Sequence, residues 1–157
     1  MLENPSPTIY HDLLGVTRSP EELAAEDDDA VSDPIDSLEV FEHLRRIRDP
    51  EHPHTLEELK VLEPSLITVD WRRRLVKVLF TPTVPHCSLT AVIGLSILLK
   101  LERSLPPFTK VDVYVTPGTH VQEEQVNKQL NDKERVAAAL ENRSLLNVIQ
   151  TCIADSE

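Results

Sequence analysis

The longest strongly apolar stretch of the chain, from Ala91 to Leu101, limits the fold more than any other feature of the sequence. It contains Ser96 and Lys100 and is well short of the roughly 20 residues that cross a bilayer. A helix over residues 88–103 would be apolar nearly all round. We therefore expect a soluble protein in which this helix lies against a sheet and is covered on its other side.

Strand-like segments lie on both sides of this helix. Residues 74–80 are rich in β-branched and apolar residues, and residues 110–116 carry a valine at every second position. The connection between these two strands contains the helix and is long enough for a right-handed crossover, which would make the strands parallel. Residues 61–71 form an earlier strand-like segment, separated from residues 74–80 by an arginine-rich turn, which predicts an antiparallel hairpin.

Helical spacing accounts for most of the remaining folded part. One helix is predicted from Asp36 or Ser37 to about Asp49, where Pro50 ends it. Thr55 and Glu58 match a capping box at a short turn. Further helices are predicted over residues 122–130, 132–140 and 144–154. The order of elements predicts a small α/β (α+β) domain with a mixed sheet, in which a strand–helix–strand unit is packed by helices.

The charge of the chain is distributed unevenly. The 157 residues suit one domain and carry a net charge of −11. Residues 1–36 hold ten acids and one base, which leaves seventeen acids and fifteen bases in residues 37–157. We expect residues 1–35 to be a disordered acidic tail and residues 36–157 to be the folded domain. The folded part has no basic stripe, which argues against direct nucleic-acid binding.

The two cysteines differ in their surroundings. Cys87 and Cys152 cannot form a disulfide framework, and the N-terminus lacks a signal-peptide pattern, so the expected compartment is the cytosol or the nucleus. Cys152 shares an apolar helix face with leucine, valine and isoleucine, which indicates a core residue. Cys87 precedes the apolar helix, where free N–H groups and the helix dipole stabilise a thiolate. It is either a reactive thiol or a small apolar plug at the sheet edge.

The ends of the two parallel strands carry matching residues. Each strand ends in a Thr-Pro pair, at Thr81 and at Thr116, and a histidine follows each, His86 and His120. Because the carboxyl ends of parallel strands meet at one edge of the sheet, where ligands bind in open α/β sheets, both histidines and Cys87 are expected to converge there.

Two kinds of chemistry are open at this edge. A thiol enzyme would use Cys87 with His120 as its base, since adjacent side chains such as His86 usually diverge, but the sequence shows no nucleophile elbow and no glycine-rich anion loop. A metal site would use the same three residues, with Asp49 and Glu51 as hard ligands. No CxxC or HxxxH spacing is present, and the alternative role for both acids is to cap a helix stop. We expect at most a transient cluster or zinc ion, with no tightly bound cofactor.

Four long segments in order closely resemble the MIP18 family, whose core is the DUF59 domain. They are "IRDPEHPHTLEEL" (47–59), "FTPTVPHCSLTAVIGLSI" (80–97), "SLPPFTKVDVYVTPGTH" (104–120) and "VNKQLNDKERVAAALEN" (126–142). The resemblance implies a non-enzymatic adaptor of the cytosolic iron–sulfur targeting complex, which passes clusters to cytosolic and nuclear apoproteins and is linked to chromosome segregation. It also implies that Cys87 is the reactive residue.

The resemblance further implies partners. These are a WD40 β-propeller subunit, a HEAT-repeat scaffold in one paralogue branch and an iron-regulatory apoprotein in the other, with domain-swapped, zinc-bound homodimers seen in the family. The segments "TVPHCSL" and "KQLNDKERVAAALEN" resemble the iron-regulatory branch, whereas "DPEHP" and "TPGTH" resemble the scaffold-binding branch. The first branch is favoured slightly. Stiff proline loops at Pro50–Pro53 and Pro106–Pro107 are candidate hinges for swapping.

Overall fold

The computed structural model describes residues 34–84, 89–154 and 156. The predicted tail, except for its last two residues, and both His86 and Cys87 lie outside these ranges. The described helices and strands, in chain order, are α1 (Ser37–Leu44), β1 (Ile67–Asp70), β2 (Leu75–Phe80), α2 (Thr90–Ser104), β3 (Lys110–Val115), α3 (Glu123–Asn131), α4 (Lys133–Glu141) and α5 (Arg143–Ala154). This confirms the predicted small α/β domain.

The three strands form one mixed sheet in the order β1-β2-β3. Strand β1 pairs antiparallel with β2, and β2 pairs parallel with β3, so both predicted pairings are confirmed. The first strand is shorter than predicted, because residues 64–66 form a 3₁₀ turn that starts at Pro64. Proline has no N–H to donate to a ladder, so pairing begins only at Ile67. The arginines of the β1–β2 turn are exposed, as expected of a solvated turn.

Helix α1 begins as predicted and ends early. The Asp36 carboxylate accepts a hydrogen bond from the N–H of Glu39 at 2.9 Å, which caps the first turn. The helix ends at Leu44, five residues before the predicted end at Asp49. Ile47 is fully buried outside the helix, and its carbonyl accepts a hydrogen bond from Leu56 at 2.8 Å. The apolar spacing of Ile47 therefore reports burial in the core, not continuation of the helix.

Helix α2 is the centre of the core. Ten of its residues are buried, including the polar Ser96 and Lys100, and it packs against β3 and against α1, α3 and α5. The prediction that this helix is covered on both sides is confirmed. Gly94 lies so close to Leu130 of α3 that an added Cβ would overlap the leucine side chain. No helix in the described ranges is long and apolar enough to cross a membrane.

Two asparagines of α3 bind the outer edge of β3. The Asn131 side chain accepts a hydrogen bond from the N–H of Val113 at 3.3 Å and donates one to the carbonyl of the same residue at 2.9 Å. Asn127 accepts one from the N–H of Val115 at 2.8 Å. Asn127 and Asn131 are four residues apart, which is a rise of about 6 Å along a helix. Val113 and Val115 are two residues apart, which is about 6.6 Å along a strand, so the two spacings match. The amides satisfy backbone groups that β2 does not reach.

Candidate functional site

The carboxyl ends of β2 and β3 lie side by side. The hydroxyl oxygens of Thr81 and Thr116 are 2.8 Å apart and form a hydrogen bond. The N–H of Thr116 also donates to the carbonyl of Phe80 at 2.8 Å, which extends the parallel pairing by one residue. The prediction that both Thr-Pro pairs lie at one sheet edge is confirmed.

A tight turn follows β3 and positions His120. The N–H of Thr119 donates to the carbonyl of Thr116 at 3.2 Å, and Gly118 between them has φ +79°. Pro117 and Gly118 at the central positions are typical of a type II turn. The N–H of Gly118 donates to the carboxylate of Glu123 at 3.2 Å, which ties the turn to α3. His120 therefore lies immediately beyond the paired strand ends, and it is buried.

The hydrogen bonding of His120 determines its tautomer. Its Nδ1 accepts a hydrogen bond from the N–H of Gln122 at 3.0 Å. A nitrogen that accepts a hydrogen bond carries no proton, so the proton of the neutral ring is on Nε2. In this state His120 presents a hydrogen-bond donor at Nε2, and a donor cannot take a proton from a thiol. Because Cys87 lies outside the described residues, the role of general base that the sequence suggested for His120 stays a prediction.

The segment that carries His86 and Cys87 connects this edge to α2. Strand β2 ends at Phe80, and Pro82 beyond it is buried. Helix α2 begins at Thr90, two residues later than the predicted start at residue 88, and its N-cap residue Leu89 makes no side-chain capping bond. Cys87 therefore precedes the N-cap by two positions in the sequence. Because His86 and Cys87 lie outside the described residues, their convergence with His120 stays a prediction.

The loop that follows α1 uses Asp49 for structure. The buried Asp49 carboxylate accepts hydrogen bonds from the N–H groups of Glu51 at 2.8 Å and His52 at 3.2 Å. This is the capping role that the sequence offered as an alternative to metal binding. The N–H of Arg48 donates to the carbonyl of Cys152 at 2.9 Å, which fixes the same loop against α5.

Cys152 is a core residue, as predicted. Its side chain is buried, and burial together with the nearby carboxylate of Asp49 raises the pKa of the thiol, although a hydrogen bond with Ser96 opposes part of this rise. A raised thiol pKa leaves little thiolate at neutral pH. Cys152 therefore provides an unreactive internal reference for Cys87.

The described residues do not form the predicted metal site on their own. Within residues 34–84, 89–154 and 156, no three or more His, Cys, Asp or Glu side chains are grouped so as to hold a metal ion. Asp49, Glu51 and His120 thus do not form one cluster. Any metal contact through the predicted set would depend on His86 and Cys87.

His52 is a buried polar residue that the sequence reasoning passed over. Its side chain is only 4% exposed, and within the described part of the chain its Nε2 has no hydrogen-bond partner. The only signal in the sequence was its place between Glu51 and Pro53 in a rigid loop. An unsatisfied buried nitrogen is uncommon, which makes His52 the least explained polar group of this loop.

Comparison with known proteins identifies the family. Residues 38–115 match the family model described as iron-sulfur cluster assembly protein. The chain is 54% identical to cytosolic iron-sulfur assembly component 2B of Mus musculus over 98% of this chain and 92% of the mouse protein. It is 52% identical to MIP18 family protein galla-2 of Drosophila melanogaster over 98% and 96%. It is 47% identical to Protein AE7 of Arabidopsis thaliana over 99% and 98%. The chain belongs to the MIP18 family of iron–sulfur cluster assembly proteins.

Proposed function

We propose that this chain is a non-enzymatic adaptor in cytosolic iron–sulfur protein assembly, which helps deliver clusters to cytosolic and nuclear apoproteins. Relatives in Mus musculus and Dictyostelium discoideum bear the name cytosolic iron-sulfur assembly component 2B. The observation that carries the proposal is the hydrogen bond between Thr81 and Thr116. It brings the start of the Cys87 segment to the sheet edge beyond which His120 lies.

The cluster is cargo in this proposal. Cys87 is one thiol, and typical clusters take four thiolates, so a cluster handled here must share its remaining ligands with a partner or a client. The positive end of the α2 dipole favours a thiolate in the residues before it. Cys87 then serves as a transient contact for the cluster or for the client.

Partners follow from the same proposal. The chain binds a WD40 β-propeller subunit and bridges it to the client. Its further partner is a HEAT-repeat scaffold or an iron-regulatory apoprotein. It acts in the cytoplasm and the nucleus. A link to chromosome segregation would arise through clients that maintain DNA.

A pull-down from cytosol with the full chain tests these partners. Recovery of a propeller together with a HEAT-repeat protein would assign the scaffold-binding branch, and recovery with an iron-regulatory protein the other branch.

Cluster loading in cells depleted of this chain tests the role of Cys87. Cys87→Ala and Cys87→Ser are expected to restore radiolabelled iron in an apoprotein client severalfold less well than the wild type. Cys152→Ser is the matched control, because Cys152 is the other cysteine of the chain and is buried. The control is expected to load clients as the wild type does. Full restoration by Cys87→Ser would show that the thiol is not needed.

The competing function is a thiol enzyme that uses Cys87 and His120. Alkylation of the folded protein by iodoacetamide is expected to modify Cys87 well before Cys152, since burial raises the pKa of the Cys152 thiol. The adaptor proposal expects this fast alkylation without turnover of thioester substrates. Turnover that is lost in both Cys87→Ala and His120→Ala would favour the enzyme and contradict the adaptor.

A further inference from the structure

An apolar groove lies at the end of the sheet opposite the candidate site. Its volume is about 800 Å³, and it is bounded by the C-terminal end of α2, the loop over residues 105–109, the start of β3 and helix α4. Its aliphatic lining includes Leu98, Leu101, Leu105, Val111, Val136 and Leu140. Strand β3 runs about 17 Å from Lys110 at the groove to Val115 near His120, so the groove is a separate surface.

Phe108 stands at the rim of this groove in an unusual conformation. Its side chain is 97% exposed, and its φ is +68°. Positive φ is rare for a bulky residue, because the side chain crowds its own backbone. Two prolines precede it, and the Thr109 hydroxyl donates to the carbonyl of Pro106 at 2.8 Å, which fixes the loop. The loop thus holds an aromatic ring in solvent beside an apolar groove, an arrangement that suits binding of another apolar group.

The segment of the chain that precedes Pro34 contains a match for this groove. Residues 8–15, "TIYHDLLG", hold the densest apolar cluster before Pro34, with Ile9 and Leu13 four residues apart and Tyr10 and Leu14 likewise. A spacing of four places each pair on the same side of a helical turn. The cluster supplies aliphatic side chains and an aromatic ring, which are the groups that an aliphatic groove with an aromatic rim accepts.

Charge is compatible with binding of the same segment. Residues 1–33 carry nine acids and one base, and Asp12 lies within the apolar cluster. The groove rim presents the exposed ammonium groups of Lys110 and Lys133, along with the carboxylates of Glu102 and Asp112. Asp12 can pair with either lysine while the leucines enter the groove.

The connecting chain is long enough for this contact. Nineteen residues separate Leu14 from Pro34. Extended, they span about 65 Å, whereas a domain of this size is about 35 Å across. A tethered segment also has a high effective concentration at the groove. A second copy of the chain lacks this advantage.

We propose that residues 8–15 of the same chain bind in this groove, with Leu13 and Leu14 against its aliphatic wall and Tyr10 beside Phe108. A partner that uses this surface must then compete with the segment for the groove. The proposal does not depend on the function proposed for the Cys87 edge.

Photo-crosslinking of the full chain tests the contact. Phe108→p-benzoylphenylalanine replaces an exposed ring by a photoreactive one, and trypsin then releases it within residues 104–110. The expected product joins this peptide to the tryptic peptide of residues 1–18. In a mixture of isotopically labelled and unlabelled chains, the two peptides are expected to carry the same label. The proposal would be overturned if the two crosslinked peptides carried different labels. It would also be overturned by a covalent dimer joined through other segments or by the absence of any crosslink.

Matched variants test which residues make the contact. Leu13→Asp with Leu14→Asp is expected to lower the crosslink yield by about tenfold or more, because two apolar side chains lose their burial. Val31→Asp, which changes an apolar residue outside the cluster, is the control and is expected to leave the yield unchanged. The same photoreactive residue at Val121, exposed beyond the other end of β3, is expected to give no crosslink to residues 1–18. An unchanged yield in the double variant would overturn the proposal.

Discussion

His43 of α1 is half-buried and lies within the electrostatic influence of the buried Lys100 of α2. Lys100 is only 5% exposed, and its ammonium donates a hydrogen bond to the carbonyl of Ser156 at 3.0 Å. Burial lowers the pKa of His43, and the ammonium of Lys100 adds to this effect, while Glu42 opposes it. The folded protein therefore holds His43 neutral at a pH where the unfolded chain would protonate it.

This lowered pKa makes stability depend on pH. Because the folded pKa of His43 lies below its ordinary value of about 6.5, the unfolded chain binds the proton first as pH falls. The contribution of His43 is present above that value and is lost as pH falls through the folded pKa. His43→Gln is expected to reduce the loss of stability between about pH 7.5 and 5.5, measured as urea midpoints. A difference in urea midpoint between variant and wild type that stays constant across this pH range would contradict the prediction.

Gly94 is required by the close approach of α2 to α3. Replacement by alanine would favour the helix by about 1 kcal/mol, but the new Cβ would overlap the buried Leu130 side chain. Overpacking of a core costs about 1–3 kcal/mol, so after the gain in helix propensity Gly94→Ala is expected to lower the free energy of unfolding by up to about 2 kcal/mol. Gly94→Ala combined with Leu130→Ala, compared with Leu130→Ala alone, is the control. In that background the alanine at position 94 is expected to be neutral or stabilising.

The contact between α3 and β3 depends on two amides. Asn131→Ala removes both of its hydrogen bonds to Val113 and is expected to cost about 1 kcal/mol of stability. Hydrogen exchange is expected to accelerate at the N–H of Val113 and much less at the core N–H groups of α2. Gln125→Ala on the same helix is the matched control and is expected to leave exchange in β3 unchanged. Equal acceleration throughout the domain would indicate global destabilisation and contradict a local role.

The helices and strands that could be predicted from the sequence are those with a strong period or a clear stop. Alternating valines predicted β3, and the nearly continuous apolar run predicted α2 within two residues. The early end of α1 could not be predicted, because Ile47 continues the helical period while it packs elsewhere in the core. The use of Asn127 and Asn131 could not be predicted either, since an amide that binds a distant strand looks like any surface amide in the sequence.

The candidate site was predictable to the extent that topology determines it. Matching Thr-Pro ends on two parallel strands predicted a shared edge, and the hydrogen bond between Thr81 and Thr116 confirms it. The role of Asp49 was open, because only the folded loop shows that its carboxylate binds the N–H groups of residues 51 and 52. The tautomer of His120 likewise depends on one backbone contact formed after folding.

The two ends of the sheet are expected to behave independently. Thr116→Val removes the hydroxyl pair at one end and is expected to cost about 1 kcal/mol. Leu105→Ala removes a buried side chain at the groove and is expected to cost about 2–5 kcal/mol. Because the two substituted residues lie more than about 10 Å apart, their losses of unfolding free energy should add in the double variant within about 0.5 kcal/mol. Urea unfolding measures these losses. A larger coupling energy would mean that the sheet transmits strain from the groove to the candidate site.

The amides that α3 places along β3 also have a consequence for crowded solution. An exposed strand edge is a template on which another polypeptide can add a strand, and this is how sheets grow into aggregates and fibrils. On β3 the outward N–H groups of Val113 and Val115 are already bound by side chains of the same molecule. These two positions are therefore closed to an added strand, and we expect this edge of the domain to resist fibril growth at high concentration.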